Sequence, residues 1–298
     1  VLREKLINDF YFRALQVSTT QVSKDGTQKF GFKTSDNLII EGVLIPSDNR
    51  TTACISSQAG CALNCLFCAT GKIKFRRDLT AGEIFDQVAE IEKTAKGIND
   101  KKLNNIVLMG MGEPLLNYDN VLKAIERISS DDSLGYSPSR ITISTAGIAK
   151  MIRKLADHRI KCNLAVSLHT ADNFKRDQIM PLNKSNPLEE LAASIKYFHQ
   201  KTGTRITYEY LLLKDFNDSH KDARQLSACR INISPAASSQ IYYKISGFKE
   251  FFKAAGSFGI ASFKWTPVDF IIFNKIYLTW RDFAEFCKLA CILMRIVK

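Results

Sequence analysis

The sequence predicts an α/β protein: a partial (β/α)6-type barrel carrying a small β-rich N-terminal appendage. Three observations predict it. From residue 52 onward, short apolar runs alternate with amphipathic helical patterns, and strands spaced by such helices call for a parallel sheet with right-handed crossovers. The residues best suited to chemistry then fall at the ends of those runs, where a barrel gathers its active site. Residues 1–50, by contrast, read mostly as short strands separated by turn dipeptides.

At the N-terminus a short amphipathic helix is expected around Leu2–Leu15, and strand-like runs from Val17 to Val43 are broken at Asp25-Gly26 and Asp36-Asn37. The last run, Leu38–Ile45, holds one charged residue, Glu41, among apolar ones. Pattern alone makes Glu41 an edge or solvent-facing residue; a carboxylate facing a reactive centre is the sharper reading. Thr80 caps the next helix, with Glu83 three residues on as a capping box, Ile84, Val88 and Ile91 on one face and Gly97 as its stop. Asn104–Met109 is a strand ending in Gly110-Met111-Gly112-Glu113-Pro114, with a helix after it over Tyr118–Ile128. Arg140–Ser144 and Lys161–Ser167 are further strands, with a helix to Ala156 between them. Asn186 and Pro187 open a helix containing Leu188, Leu191, Ile195 and Phe198, Gly203 closes it, and Thr204–Leu213 is the next strand.

At 298 residues and 45% apolar composition, the chain has enough material for a large core. The apolar run from Phe270 to Val297 is interrupted by Lys275, Arg281, Asp282, Glu285, Lys288 and Arg295, which excludes an uncharged span of bilayer length. Eight cysteines without a secretory leader point to a reducing, cytoplasmic compartment. A formal net charge of +12 creates a field that attracts polyanions, nucleic acid first among them. Lys72, Lys74, Phe75, Arg76 and Arg77 concentrate that charge with an aromatic, as a solvated face or as a surface for phosphates and a base.

Cys61, Cys65 and Cys68 lie within eight residues on a turn with Gly60 before it. A disulfide would leave one thiol over, and structural zinc prefers four ligands in paired knuckles, of which the second is missing. Three soft thiolates with a fourth position open suit a [4Fe-4S] cluster whose unique iron binds a substrate; zinc or a buried cysteine cluster are the other readings. Gly112 and Glu113, Ser144, and Ser167-Leu168-His169 each end or come directly after a predicted strand. Singly they are a turn, helix caps and a loop histidine; together they converge on one barrel mouth. Cys54, seven residues before the first of the triad, reads as a buried strand cysteine.

With these residues in hand, the chain resembles the radical S-adenosylmethionine (SAM) enzymes, and more closely the bacterial dual-specificity rRNA/tRNA adenine-C2 methyltransferases of the RlmN family. The resemblance is carried by CISSQAGCALNCLFCATG, VLMGMGEPLLNYDNV, ITISTAGI and LAVSLHTADN, and it extends from about residue 1 to about residue 233. It implies an accessory segment over 1–50, a radical SAM barrel over 51–233 and a divergent segment over 234–298. It further implies that Cys61, Cys65 and Cys68 ligate three irons of a [4Fe-4S] cluster while the fourth chelates S-adenosylmethionine, and that Gly112, Glu113, Ser144, Ser167, Leu168 and His169 bind that cofactor. An electron from the reduced cluster would cleave the sulfonium to a 5'-deoxyadenosyl radical. Cys54 would resolve a covalent RNA adduct and close a transient disulfide with a C-terminal cysteine, and Glu41 would accept a proton. The implied substrates are 23S rRNA and tRNA, the electron donor a flavodoxin/reductase system, and the protein a cytoplasmic monomer without a membrane.

The methyl carrier is where the sequence departs from the family. After Cys229 the expected Asn-Pro turn is replaced by Ala236-Ala237, and there is no Arg-Gly-x-Asp-Ile lead into Ala-Ala-Cys-Gly. Leu289-Ala290-Cys291 is its nearest echo, making Cys291 the candidate carrier, with Cys287 second. Both also fit the packing face of a helix containing Phe283, Phe286, Leu289, Ala290 and Leu293. Two other functions are therefore carried beside the first: an RNA-binding iron–sulfur protein deficient in methyl transfer, and a radical SAM enzyme acting on another substrate.

Overall fold

The computed structural model describes residues 13–47, 50–99, 102–204 and 206–228, together with the backbone of 241–246. The chain divides into two compact units: residues 1–61 with 75–141, and 62–74 with 142–298.

In the first unit β1 (Leu15–Val22), β2 (Gln28–Thr34) and β3 (Ile39–Pro46) form an antiparallel meander that continues onto β4 (Thr51–Cys54). The turns are those the dipeptides predict: Gly26 and Asn37 take positive φ, and the Asp25 carboxylate accepts from the Thr27 amide. Leu15, the end of the expected N-terminal helix, instead opens β1; residues 1–12 of that helix lie outside the described residues. The two-residue strands β5 (Gln58–Ala59) and β6 (Arg77–Asp78) pair antiparallel, and the chain goes on into α1 (Ala81–Asn99). It then enters β7 (Asn105–Leu108), parallel to β4, and α2 (Tyr118–Ser129). Ile84, Val88 and Ile91 of α1 are completely buried, as are Ile40, Ala53 and Ile106 of β3, β4 and β7. This apolar layer anchors the strands that carry Glu41 and Cys54.

The capping box at the start of α1 forms in both directions. The Glu83 amide donates to the Thr80 hydroxyl at 3.2 Å, and the Thr80 amide donates to the Glu83 carboxylate at 2.8 Å. That carboxylate also receives two guanidinium donors from Arg77, so the cap fixes β6 as well. Thr80→Ala is expected to cost about 1 kcal/mol, read as a lower urea midpoint at unchanged slope. Gly97 does not stop α1, which runs two residues further; an exposed glycine within a helix weakens it without ending it.

The second unit holds all but the first residue of β8 (Ile141–Thr145), then α3 (Ala149–Asp157), β9 (Asn163–Ser167), α4 (Asn173–Ile179) and α5 (Leu188–Thr202). It continues with β10 (Ile206–Leu211), α6 (His220–Ala228) and β11 (Ile241–Ser246). Its strands pair in parallel in the order β8-β9-β10-β11. Leu164, Ala165 and Val166 are all fully buried, the mark of a strand covered on both faces. Gly203, at φ 64°, ends α5 in the left-handed conformation that β-carbon-bearing residues resist. The predicted α/β class with parallel strands is thus observed. No helix among the described residues is long and apolar enough to cross a membrane.

Candidate active site

The predicted site residues fall into both units, with the boundary between Cys61 and Ala62. In the first unit, β3 and β4 pair Val43 with Cys54, and the same register sets Glu41 opposite Ser56, whose hydroxyl donates to the Glu41 carbonyl at 2.6 Å. Side chains two apart on a strand share a face, so Glu41 and Cys54 are diagonal neighbours on one side of the sheet. Lys29 of β2 lies opposite Val43 on that side and forms an ion pair with Glu41; both side chains are about three-quarters covered. The sequence alone did not single out Lys29, although the hairpin register set by Asp36-Asn37 was enough to place it.

Gly112 and Glu113 come after β7 on a turn latched to residues 56–58. The Ser57 and Gln58 amides donate to the Met111 carbonyl at 2.9 and 3.1 Å, the Met111 amide to the Ser56 hydroxyl at 2.8 Å, and the Glu113 amide to the Gln58 side-chain carbonyl at 2.9 Å. Gly112 sits at φ 96°. The Glu113 carboxylate is buried and accepts from the Leu115 amide at 3.1 Å. The turn therefore carries a carboxylate on a backbone that hydrogen bonds hold in one shape.

In the second unit, Ser144 of β8 pairs with Ala165 of β9, so Ser144 and Ser167 share a face, as does Glu209 of β10 opposite Ser167. Leu168 and His169 extend β9, their amides donating to the Glu209 carbonyl at 3.0 and 3.1 Å. His169 takes φ 57° and is 6% exposed. Its Nδ1 accepts from the Leu211 amide at 3.1 Å, which leaves Nε2 as the protonated nitrogen of a neutral ring. The ring meets Phe67 of the cysteine loop edge to face, centroids 4.4 Å apart. Burial, aided by the Arg176 charge, pushes the His169 pKa down to about 3.

That shift makes stability depend on pH. The unfolded ring titrates near 6.5, so below that pH the unfolded chain binds the extra proton. The contribution of neutral His169 is complete above about pH 6.5 and is lost as pH falls toward about 3. Asn tolerates positive φ and retains a carbonyl acceptor, so His169→Asn is expected to flatten the pH dependence of the urea midpoint across this window in cluster-free protein.

Within the cysteine loop, Asn64 at φ 52° lets the chain reverse, and the Cys68 amide donates to the Cys65 carbonyl at 3.1 Å. The loop docks on α4 through the Leu66 amide, which donates to the Ile179 carbonyl at 2.9 Å. Cys65 and Phe67 pack with Ala146, Ile179 and Met180, while Cys68 lies at the rim of that cluster. None of Cys54, Cys61, Cys65, Cys68 and Cys162 is in a disulfide. Among the described residues no three His, Cys, Asp or Glu side chains form a group placed to hold a metal ion, so the assignment of ligands rests on donor chemistry and loop position. Cys291, Cys287 and Cys229 lie outside the described residues.

Sequence reading missed Arg176, which is completely buried and donates to the carbonyls of Ala146, Ser167 and Leu168, the chain just past β8 and at the end of β9. An arginine in the segment NFKRDQI gives no pattern signal of burial. It is found only once α4 is packed.

Residues 55–226 match the family described as the radical SAM superfamily. A probable dual-specificity RNA methyltransferase RlmN of Christiangramia forsetii is 51% identical over 237 residues, covering 78% of this chain and 67% of that protein. A protein of the same description from Cytophaga hutchinsonii is also 51% identical over 237 residues, covering 78% of this chain and 65% of its own length. The chain thus spans about two thirds of the length of these relatives. The crystal structure of a radical SAM methyltransferase from Sphaerobacter thermophilus superposes with a TM-score of 0.78 at 32% identity, over 87% of this chain and 79% of that one. With the cysteine loop and the strand-end motifs inside the matched region, the chain belongs to the radical SAM superfamily and, within it, to the RlmN family of dual-specificity RNA methyltransferases.

Proposed function

We propose that the protein transfers a methyl group to C2 of adenine in 23S rRNA and tRNA, by a radical route through a methyl-cysteine. The observation that carries this reading is the three-thiol loop Cys61–Cys68 within a chain that matches the superfamily from residue 55 to 226. Superfamily membership implies a [4Fe-4S] cluster and S-adenosylmethionine. The residues suit the cluster: three thiols outside any disulfide share one loop, and soft sulfur donors are what such a cluster takes. Cys61, Cys65 and Cys68 would hold it, and when bound it supplies the electron that cleaves the sulfonium of S-adenosylmethionine.

The remaining work falls to the chain. Gly112, Glu113, Ser144, Ser167, Leu168 and His169 would hold S-adenosylmethionine. The strand-end serines and the Glu113 turn offer hydroxyl and main-chain groups suited to a zwitterion and a ribose, and neutral His169 offers a single donor at Nε2. Cys54, as a thiolate, would attack the sulfur of the carrier cysteine in the protein–RNA adduct, forming a disulfide and breaking the carbon–sulfur bond, so that the released carbon takes a proton and becomes the 2-methyl group. Glu41, its diagonal neighbour, would accept the proton from C2, and the Lys29 ammonium holds that carboxylate on the shared face. The carrier would be Cys291. Domain limits of 1–50, 51–233 and 234–298 accompany this reading, as do a cytoplasmic location, a monomeric state and a flavodoxin/reductase electron donor.

Anaerobically reconstituted protein, given S-adenosylmethionine, reductant and either RNA, is expected to yield 5'-deoxyadenosine and 2-methyladenosine by mass spectrometry. Absence of 5'-deoxyadenosine would sink the enzyme class, and 5'-deoxyadenosine without 2-methyladenosine would sink the substrate. Cys54→Ala is expected to accumulate a covalent protein–RNA adduct and to lower product release by at least ~100-fold, since it removes a nucleophile. The missing Ala-Ala-Cys-Gly pattern favours a second reading, an RNA-binding iron–sulfur protein without methyl transfer. Intact-mass detection of methylated Cys291 excludes it.

A further inference from the structure

Arg176 is the largest fully buried side chain among the described residues, and its surroundings are unusual for a cation. Nε donates to the Leu168 carbonyl at 3.2 Å, Nη1 to the Asn183 side-chain carbonyl at 2.7 Å, and Nη2 to the Ala146 and Ser167 carbonyls at 2.7 and 3.0 Å. All four acceptors are neutral. They engage four of its five N–H donors without cancelling the charge, and among the described residues no carboxylate forms an ion pair with this guanidinium. The adjacent Asp177 carboxylate is engaged by the Asn183 amide at 2.7 Å.

An uncompensated buried cation costs several kcal/mol, so its retention calls for an anion close by. Cys65 and Asp177 are the acidic groups whose charge, when ionised, acts on Arg176; burial, the stronger influence, lowers its pKa to about 10. The helix that carries Arg176 also docks the cysteine loop, through the Leu66 amide on Ile179. Cys65, Ala146 and Ile179 lie in one apolar cluster, and Arg176 holds the Ala146 carbonyl. A positive charge in low dielectric beside a thiolate-ligated cluster favours the state with one more electron.

We propose that Arg176 is a positioning residue that acts as the buried counter-charge of the iron–sulfur cluster held by Cys61, Cys65 and Cys68, raising its reduction potential while it fixes the chain ends at Ala146, Ser167 and Leu168. The proposal rests on the cluster reading above. Its test is a dithionite titration of reconstituted protein monitored by electron paramagnetic resonance. At a fixed applied potential, Arg176→Met is expected to show a reduced-to-oxidised ratio about tenfold below the wild type, equivalent to about 59 mV for a one-electron couple. Arg176→Lys, which keeps the charge, is expected to stay within about threefold of the wild-type ratio. A second readout is the urea midpoint with and without the cluster: loading is expected to stabilise the wild type more than Arg176→Met, whereas a merely structural arginine would give equal increments. If Arg176→Met does not fold, Arg176→Gln carries the same expectations, since it keeps an amide donor without charge. A charge-removing variant that loads iron fully yet titrates like the wild type would overturn the proposal, as would equal increments. A wild type that takes up no iron would instead overturn the cluster reading itself.

Discussion

Gly112→Ala is expected to destabilise the protein by about 2–5 kcal/mol, the sum of a strained backbone and a close steric contact. Gly112 sits at φ 96°, a conformation that residues with a β-carbon rarely adopt. A β-carbon placed there would stand 2.4 Å from Cβ of Gln58, 2.7 Å from its Cγ and 2.8 Å from its backbone nitrogen. Only the first two belong to a side chain, and that side chain is committed: its carbonyl receives the Glu113 amide and its amide donates to Asp78 at 2.7 Å. Relief would have to come from the turn itself, by breaking the bonds that seat Met111 and Glu113 on residues 56–58. The loss is a large fraction of the total stability of an ordinary domain, and chemical denaturation reads it directly. Gly97→Ala is the control. Nothing lies within 4 Å of its added β-carbon in exposed α1, so a gain of about 0.5–1 kcal/mol is expected there. If both alanines behaved alike, the turn after β7 would not be held as described.

The same contrast shows what the sequence disclosed and what it withheld. The capping box Thr80/Glu83, the turns at Asp25-Gly26 and Asp36-Asn37, and the glycine stop at Gly203 are local chemistry, and each appears where its residues predict. Strands β7, β8, β9 and β10 appear within two residues of their predicted limits because their apolar runs are short and bounded by polar or breaking residues. Helix α4 was not predicted: seven residues are too few to show a period, although Asp172, which caps it by accepting from the Lys175 amide, was a legible start signal. Gly97 misled because a glycine near a helix end signals a stop only when it adopts positive φ, which depends on the packing of the residues after it. The site divides along the same line. Cys61, Cys65, Cys68 and the strand-end residues were nominated as site candidates by spacing and family motifs. Lys29 and Arg176 were not, since their placement depends on strand register and on the packing of α4, which act across the chain rather than along it.

Cys68→Ser is expected to reduce iron content after reconstitution to below about a tenth of the wild-type value and 5'-deoxyadenosine formation by more than about 100-fold, exceeding the 10–100-fold typical of losing an outer-shell partner. Serine keeps the size of the side chain and its place at the rim of the Cys65–Phe67 cluster, so the fold is expected to survive. What changes is the donor: an alkoxyl is hard and protonated where a thiolate is soft and ionised, and iron–sulfur clusters require the latter. Cys61→Ser and Cys65→Ser carry the same expectation for iron. Cys65→Ser adds a folding cost of about 1–3 kcal/mol, because its hydroxyl would enter an apolar setting. Cys162→Ser separates a ligand from a merely buried thiol. Cys162 is completely covered, and burial pushes its pKa up to about 12, so it stays protonated and inert. Its replacement is expected to lower the denaturation midpoint and leave iron content unchanged. Were Cys162→Ser to lose iron while Cys68→Ser kept it, the three-thiol loop would not be the cluster site, and Arg176 would have no cluster there to counterbalance.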